Sequence, residues 1–381
     1  MMKKLLLTTL ALFSFVGLTA CGNSAKKLSE EEAKEELRLA AENTKAAAEK
    51  LAKVEAKAGL NFSANIKNVT LGSASSSLFA ITVETGKASA KADAKGSLAF
   101  DKANGIFKAE ASANANAKYN LSFKDSDEAL KDEIEAKGTA EVYAKKINDT
   151  KANLFLSYNA TLPEDKMEEY GIDASSLTGI KKYATTKFNS IFDGIKFDDD
   201  DTETEFEFDF IKDWTIFSKK GSKIIADCSD LKAFDLGDDF AETQVELEKI
   251  GLNLKVSKFE VTLTKDHEIA GADLEVSLKG TADLSKVEFE TEDIIELISQ
   301  YAPQYSAMAS MITDFTLKGK VTVDATVTAS VKASYDAQTL TIPTKYNNVV
   351  EEDLDEIIDQ IFSQMFNTRP EVVDPSKIQM Q

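Results

Sequence analysis

Ala88-Ser89-Ala90-Lys91-Ala92-Asp93-Ala94-Lys95-Gly96-Ser97-Leu98-Ala99-Phe100 alternates small apolar with polar residues as far as Ser97 and keeps its apolar positions to Phe100. A period of two is the signature of a strand with one face turned to a core. Asn104-Gly105 follows, a turn dipeptide. Phe107, Ala109, Ala111, Ala113, Ala115, Ala117, Tyr119, Leu121 and Phe123 then repeat the alternation. The spacing predicts a hairpin of two long strands, each extending roughly 55 Å for about 17 residues.

The same period recurs outward from this hairpin. Ile134 to Ala144 and a short run from Leu154 to Tyr158 continue the sheet. In the second half Phe206, Phe208 and Phe210 alternate with acidic residues. Strands follow at Leu252 to Val256 and at Phe259 to Leu263, with a change of phase between them that predicts a bulge. Leu274 to Leu284 and Phe315 to Tyr335 are further strands, and a return strand runs through Leu340 and Ile342 to Pro343. Lys95-Gly96, Lys137-Gly138, Lys279-Gly280 and Lys318-Gly319 each place a glycine on the apolar face, which marks a bend or a close backbone approach. On this reading Gly96→Val destabilises more than Gly86→Val.

Helical periods flank the strands. Residues 28–58 read as one helix: Ser29 and Glu32 form a capping box, Gly59 stands at C′, and Ala33, Leu37, Ala40, Thr44, Ala47, Leu51, Val54 and Ala58 make one seam. A helix of about 31 residues extends roughly 46 Å. That length and the small seam suit docking along the alanine-faced hairpin. A helical interval opens at Pro163, breaks at Gly171, and carries Leu177, Ile180, Ala184, Phe188 and Ile191 up to Gly194. Another starts at Thr291, with a kink at Pro303, and a last spans roughly 350–366. The fold class expected is α+β: a long-stranded, curved antiparallel sheet, half-barrel-like, packed with amphipathic helices. The consecutive blocks of strands do not fit the βαβ alternation of solute-binding proteins.

At the amino terminus Lys3 and Lys4 precede an uncharged apolar run from Leu5 to Val16, the pattern of a secretory leader and too short to span a bilayer. Leu18-Thr19-Ala20-Cys21 after such a leader resembles the lipobox of bacterial lipoproteins. The resemblance implies cleavage between Ala20 and Cys21, a diacylglycerol thioether on Cys21 with palmitate-type chains, and a membrane-anchored, extracytoplasmic location. The chain then divides into a signal peptide at 1–20, a lipidated tether at 21–27, an α+β body at 28–366 and a C-terminal tail at 367–381. If the body itself divides, the acidic stretch near 195–203 is the place. An N-terminal helix before long strands, and the block from Thr291 to Pro343, resemble the LolA-like lipoproteins, half-barrels that cradle lipid.

Chemistry is mostly excluded. The net charge of −20 repels nucleic acid. With Cys21 acylated, Cys228 has no partner, so no disulfide framework is expected. His267, the one histidine, stands in a turn-like Lys265-Asp266-His267-Glu268 and reads as solvated. Asp198 to Asp201 lack the glycine and the bidentate glutamate of an EF-hand loop and read as a solvated charge run. No phosphate-binding glycine loop follows a strand. The chain is therefore read as a monomer, not an enzyme, with no metal and no cofactor. Two functions stay open. One is binding of a lipid or other apolar ligand against Phe206, Phe208, Phe210, Val321, Val323 and Val327. The other is a surface structural or interaction lipoprotein with a filled core and no small ligand.

Overall fold

The computed structural model describes residues 25–73, 80–124, 129–148, 151–170, 172–185, 210–227, 234–235, 237–287, 315–349 and 351–353. The leader, Cys21, Cys228, Asp198 to Asp201, Phe206, Phe208, the helix expected from Thr291 and most of the one expected at 350–366 lie outside them.

Among the described residues the strands are β1 (Lys26–Lys27), β2 (Lys53–Ser73), β3 (Ala80–Asp101), β4 (Ile106–Phe123), β5 (Ala129–Lys146), β6 (Ala152–Thr161), β7 (Thr178–Thr185), β8 (Phe217–Lys220), β9 (Lys223–Ala226), β10 (Leu252–Leu263), β11 (Ile269–Asp283), β12 (Phe315–Ser334) and β13 (Glu351–Asp353). They form one open sheet in the order β1-β8-β9-β10-β11-β12-β2-β3-β4-β5-β6-β7-β13. Every neighbour is antiparallel except β13, which adds to β7 in parallel. Among the described residues three α-helices accompany it: α1 (Glu30–Ala47), α2 (Glu164–Tyr170) and α3 (Asp238–Ile250). The described residues are thus predominantly β, an open antiparallel sheet with few helices; the long-stranded antiparallel sheet is as expected, and the helical share is smaller than an α+β class implies.

Register shows why the alternation matters. Val256, Val276, Val327, Leu60, Ala92, Ala115 and Ala136 stand in one row across β10, β11, β12, β2, β3, β4 and β5. The row one residue away is Ser277, Thr326, Asn61, Lys91, Asn116 and Glu135. One face of the sheet is apolar and the other polar, as period two requires. The β3–β4 hairpin turns at residues 102–105, and the β10 bulge falls between Val256 and Lys258, both as the pattern predicts.

Several elements differ from the expectation. α1 ends at Ala47 and a single 3₁₀ turn, Ala48–Lys50, leads into β2. Residues 51–58 satisfy both periods, because Val54, Ala56, Ala58 and Leu60 also alternate. Pairing with β3 on one side and β12 on the other decides the contest, and Gly59 becomes a strand residue facing Thr328. The Ser29–Glu32 capping box is present. Ala33, Leu37, Ala40, Thr44 and Ala47 are buried as the seam requires. They pack not on the alanine hairpin but in a corner with Trp214, Phe217, Ile224, Val261 and Ile269, where larger side chains offer more apolar area per contact. Thr44 Oγ1 fixes that docking: it donates to Ala40 O at 2.7 Å and accepts from Ile269 N–H at 2.8 Å.

Lys26–Lys27, read as the end of the tether, pair with β8. Of the interval from Pro163, the described residues form the short α2, Leu177 closes a 3₁₀ turn, and Ile180 and Ala184 lie in β7; Phe188, Ile191 and Gly194 lie outside the described residues. Leu340 and Ile342 are not in a strand. Residues 335–349 instead cross the polar face as a strap, ending in a 3₁₀ turn at Thr344–Tyr346. Glu351–Asp353, expected in a helix, are β13. The four Lys-Gly pairs split. Gly280 and Gly319 have φ of +151° and +121°, and a Cβ there would stand 2.2 Å from Gly251 O and 2.4 Å from Asn68 O. Gly138 has open space around it, and at Gly96 the nearest atom is Glu110 O at 3.7 Å.

Candidate functional site

Strand pairing assembles the broad apolar face, and side-chain size varies across it. On β10–β12 and β2 the inward positions are mostly Val, Leu, Ile and Phe; on β3–β5 most are alanine. Leu60, Tyr119, Leu274 and Val327 remain exposed on this face, Val327 at 49%. Of the six ligand-contact residues read from the sequence, Val321, Val323 and Val327 share this face. They are paired with Ile66, Ala64 and Leu60 on β2 and with Ala282, Gly280 and Val276 on β11. Phe210 is set apart, packed against the α1 corner beside Ile211 and Trp214.

The polar face carries hollows that alternation alone does not reveal. One of about 670 Å³ lies over β2–β5, with Lys87, Lys118 and Lys131 beside Asn65, Asn120 and Glu133. A second, of about 460 Å³, is ringed by Lys57, Lys95, Glu110, Glu141 and Lys345. A third, of about 690 Å³, is enclosed on one side by the strap and floored by Ile106, Phe155 and Tyr346. These three residues belong with Tyr143 to a second core cluster, on which Leu340 and Ile342 pack. Tyr346 meets Phe155 at 5.2 Å and Tyr143 at 6.1 Å between ring centroids.

Two acids hold the strap down. Asp101 is 2% exposed. It accepts from Asn104 Nδ2 at 2.8 Å and from Leu340 N–H at 2.9 Å. These hydrogen bonds, the Asn104 side chain first, hold its carboxyl below the usual range against the opposing effect of burial. Burial pushes the Glu141 carboxyl up, but hydrogen bonds from Lys345 and from Tyr143 Oη, the latter at 3.0 Å, outweigh it and leave the group lowered. The same pairing raises Lys345.

His267 lies in the β10–β11 turn with φ of +60°, its Nδ1 3.9 Å from Glu36 Oε2 of α1. The turn placement agrees with the sequence; the contact with α1 does not follow from it. Among the described residues no group of three or more His, Cys, Asp or Glu is arranged to hold a metal ion, and no helix is long and apolar enough to cross a membrane.

Compared with known proteins, no family model and no curated protein matches the chain. Among solved structures it is similar to the secretin InvG of the Salmonella SPI-1 type III secretion injectisome, at 9% identity and a TM-score of 0.15, over 83% of this chain and 66% of that one. It is also similar to a Pseudomonas aeruginosa FadL homologue, at 8% identity and a TM-score of 0.16, over 75% of this chain and 91% of the other. Neither likeness carries an argument about fold or function.

Proposed function

We propose that this chain is a lipoprotein, anchored through Cys21 on the extracytoplasmic side of a membrane, whose sheet curves as a half-barrel and holds a lipid or similar apolar ligand on its apolar face. The observation that carries the reading is the exposed apolar row. Leu60 and Val327 are paired and exposed, with half-buried Val276 beside Val327 and exposed Leu274 and Tyr119 on the same face, and exposed apolar surface spread over several strands marks an interaction site. A protein tethered beside a bilayer meets lipid as its most abundant apolar solute. The anchor supports the same placement, since two or more acyl chains on one cysteine give stable membrane residence.

The test has two arms. The chain with Cys21→Ser is expected to remain unprocessed and to incorporate no labelled acyl chain. The chain from Ser24 onward, purified from cells and extracted with organic solvent, is expected to yield lipid in stoichiometric amount, and Val323→Asp to lose it. If the wild-type fragment carries no lipid, the apolar-ligand reading fails. A second reading, a surface structural or interaction lipoprotein, then stands; the filled α1 corner and the shallow alanine surface on β3–β5 favour it.

A further inference from the structure

The hollow beneath the strap lies on the polar face, opposite the surface just assigned, so what it binds is independent of that reading. Strands β4 to β7 floor it with Ile106, Lys145, Asn153, Phe155 and Lys182, and the strap lies along one side. Lys145 pairs across to Asn153, and Phe155, two residues on, pairs to Lys182, so alternation sets these four on one face. The hollow measures about 690 Å³, within the range of small-molecule sites.

One atom there states what the ligand must offer. Asn153 Oδ1 is buried and meets no hydrogen-bond donor among the described residues. A carbonyl taken out of water without a replacement donor is unfavourable, and a bound O–H or N–H recovers the loss. A carboxylate or phosphate group, which only accepts, does not. Lys182 asks for no anion either: it stands opposite Glu351 of β13 in register, and its Nζ lies 5.8 Å from the centre of the Phe155 ring. Along the strap the rim is neutral and two-way, since Thr339, Thr341 and Asn347 are exposed and each can donate and accept. Beneath them Ile106, Phe155 and Ile342 are apolar. A ligand that fits both has hydroxyls around its edge and C–H groups on its face, which is the form of a sugar ring. The second hollow differs, because its polar groups are spent on one another: Ser97 Oγ donates to Glu110 Oε2 at 3.2 Å, and Lys345 donates to Glu141.

We infer that the hollow beneath the strap binds a neutral sugar, with one ring hydroxyl donating to Asn153 Oδ1, others exchanging hydrogen bonds with Thr341 and Asn347, and the C–H face on Phe155 and Ile342. A hydroxyl suits Asn153 in particular, because it donates and accepts and so meets a side-chain amide in either orientation. An amine would serve as a donor too, but its ammonium would stand beside Lys145 and Lys182, and like charges repel. Lys145, exposed at the rim, donates to an oxygen of the same ring.

Ligand-observed NMR titration of the full chain with methyl glucoside, methyl galactoside and N-acetylglucosamine tests the assignment, with cyclohexanol and gluconate as controls. Expected is saturable millimolar binding of at least one neutral sugar at one site per chain, with cyclohexanol and gluconate weaker by about tenfold or more. Asn153→Leu should weaken that sugar by about tenfold or more while its thermal midpoint holds or rises, because the substitution removes an unmet buried acceptor. Thr341→Val combined with Asn347→Ala, both at exposed positions of the strap, should weaken it by a similar factor. Three results overturn the inference: no saturable sugar binding up to about 100 mM, equal binding of cyclohexanol or gluconate, or full sugar binding by either variant. Val323→Asp, which removes the lipid site, should leave sugar binding as it was, so failure of either proposal is distinguishable from failure of the other.

Discussion

The corner under α1 and the middle of the β3–β4 hairpin obey the same alternation and end in opposite states. In the corner Ala33, Phe217, Ile224 and Val261 are fully buried, and Trp214, Phe217, Phe259 and Phe234 are linked by ring contacts of 5.8 to 6.3 Å between centroids. In the hairpin Ala113 and Ala115 are exposed on one face and Asn114 on the other. Binary pattern assigns each residue to a face. Whether that face is covered depends on side-chain volume, because alanine offers too little area to recruit a second layer. Mid-sheet, the ladder hydrogen bonds and cross-strand pairs must do the holding, each contributing about 0.2 to 1.5 kcal/mol.

The largest effect should therefore come from the corner. Phe217→Ala removes a side chain with no exposed surface and is expected to destabilise by about 3 to 5 kcal/mol. Tyr119→Ala, at 37% exposure on the apolar face of β4, should remain within about 1 kcal/mol. Denaturant midpoints of the two variants measure the contrast. Similar losses would mean that the sheet and the corner share one core.

Much of this architecture was legible. The hairpin, its turn at Asn104-Gly105, the β10 bulge and the strand from Phe315 followed from alternation, because long half-exposed strands display period two without interference. The end of α1 did not, since Leu51, Val54 and Ala58 fit either period and only pairing with β12, more than 250 residues away, settles it. The partner of α1 was misjudged by matching lengths, when the aromatic residues of 210–234 hold the greater area. The strap was hidden for another reason. Leu340 and Ile342 alternate as a strand does, but they cover Ile106 and Phe155 without joining a ladder. Of the six residues read from the sequence as ligand contacts, alternation set the three valines on one face, while the strap hollow draws on five distant segments that no local pattern connects.

The glycines sharpen the comparison at smaller amplitude. Gly319→Ala forces a side chain to φ of +121° and toward Asn68 O, and should destabilise by about 1 to 3 kcal/mol. Gly138→Ala meets nothing within 4 Å and should be neutral or stabilise by up to about 1 kcal/mol through the unfolded chain. Among valine substitutions the order should be Gly86 above Gly96, the reverse of the sequence expectation. A Cβ at Gly86 meets Leu121 Cδ2 at 2.7 Å and Ile66 Cβ at 3.1 Å, whereas Gly96 is open. Thermal midpoints check both rankings, and equal losses at Gly319 and Gly138 would show that local backbone approach does not set stability in this sheet.

Acid should separate the strap from the corner with the smallest effect of the three. The Asp101 carboxyl is held below its unfolded value, so its contribution is fully present above about pH 4 and is lost as pH falls through the folded value. Protonation weakens the Asn104 and Leu340 hydrogen bonds together, and Glu141 adds a loss of the same sign where Lys345 pairs with it. The α1 corner is held chiefly by apolar contacts, with the Lys219–Glu36 ion pair at its edge, and the Ile269 amide is bonded to the Thr44 hydroxyl, which does not titrate there. Amide exchange below about pH 4 should then show the Leu340 amide losing protection while the Ile269 amide keeps it. The two acids are distinguishable by salt: the Lys345–Glu141 pair, 38% and 22% exposed, is screened, whereas buried Asp101 is not. Asp101→Asn should leave Leu340 weakly protected at every pH and remove most of the acid response of the strap. Should Leu340 and Ile269 lose protection together, the strap and the corner would be one cooperative unit, and the division between them would be wrong.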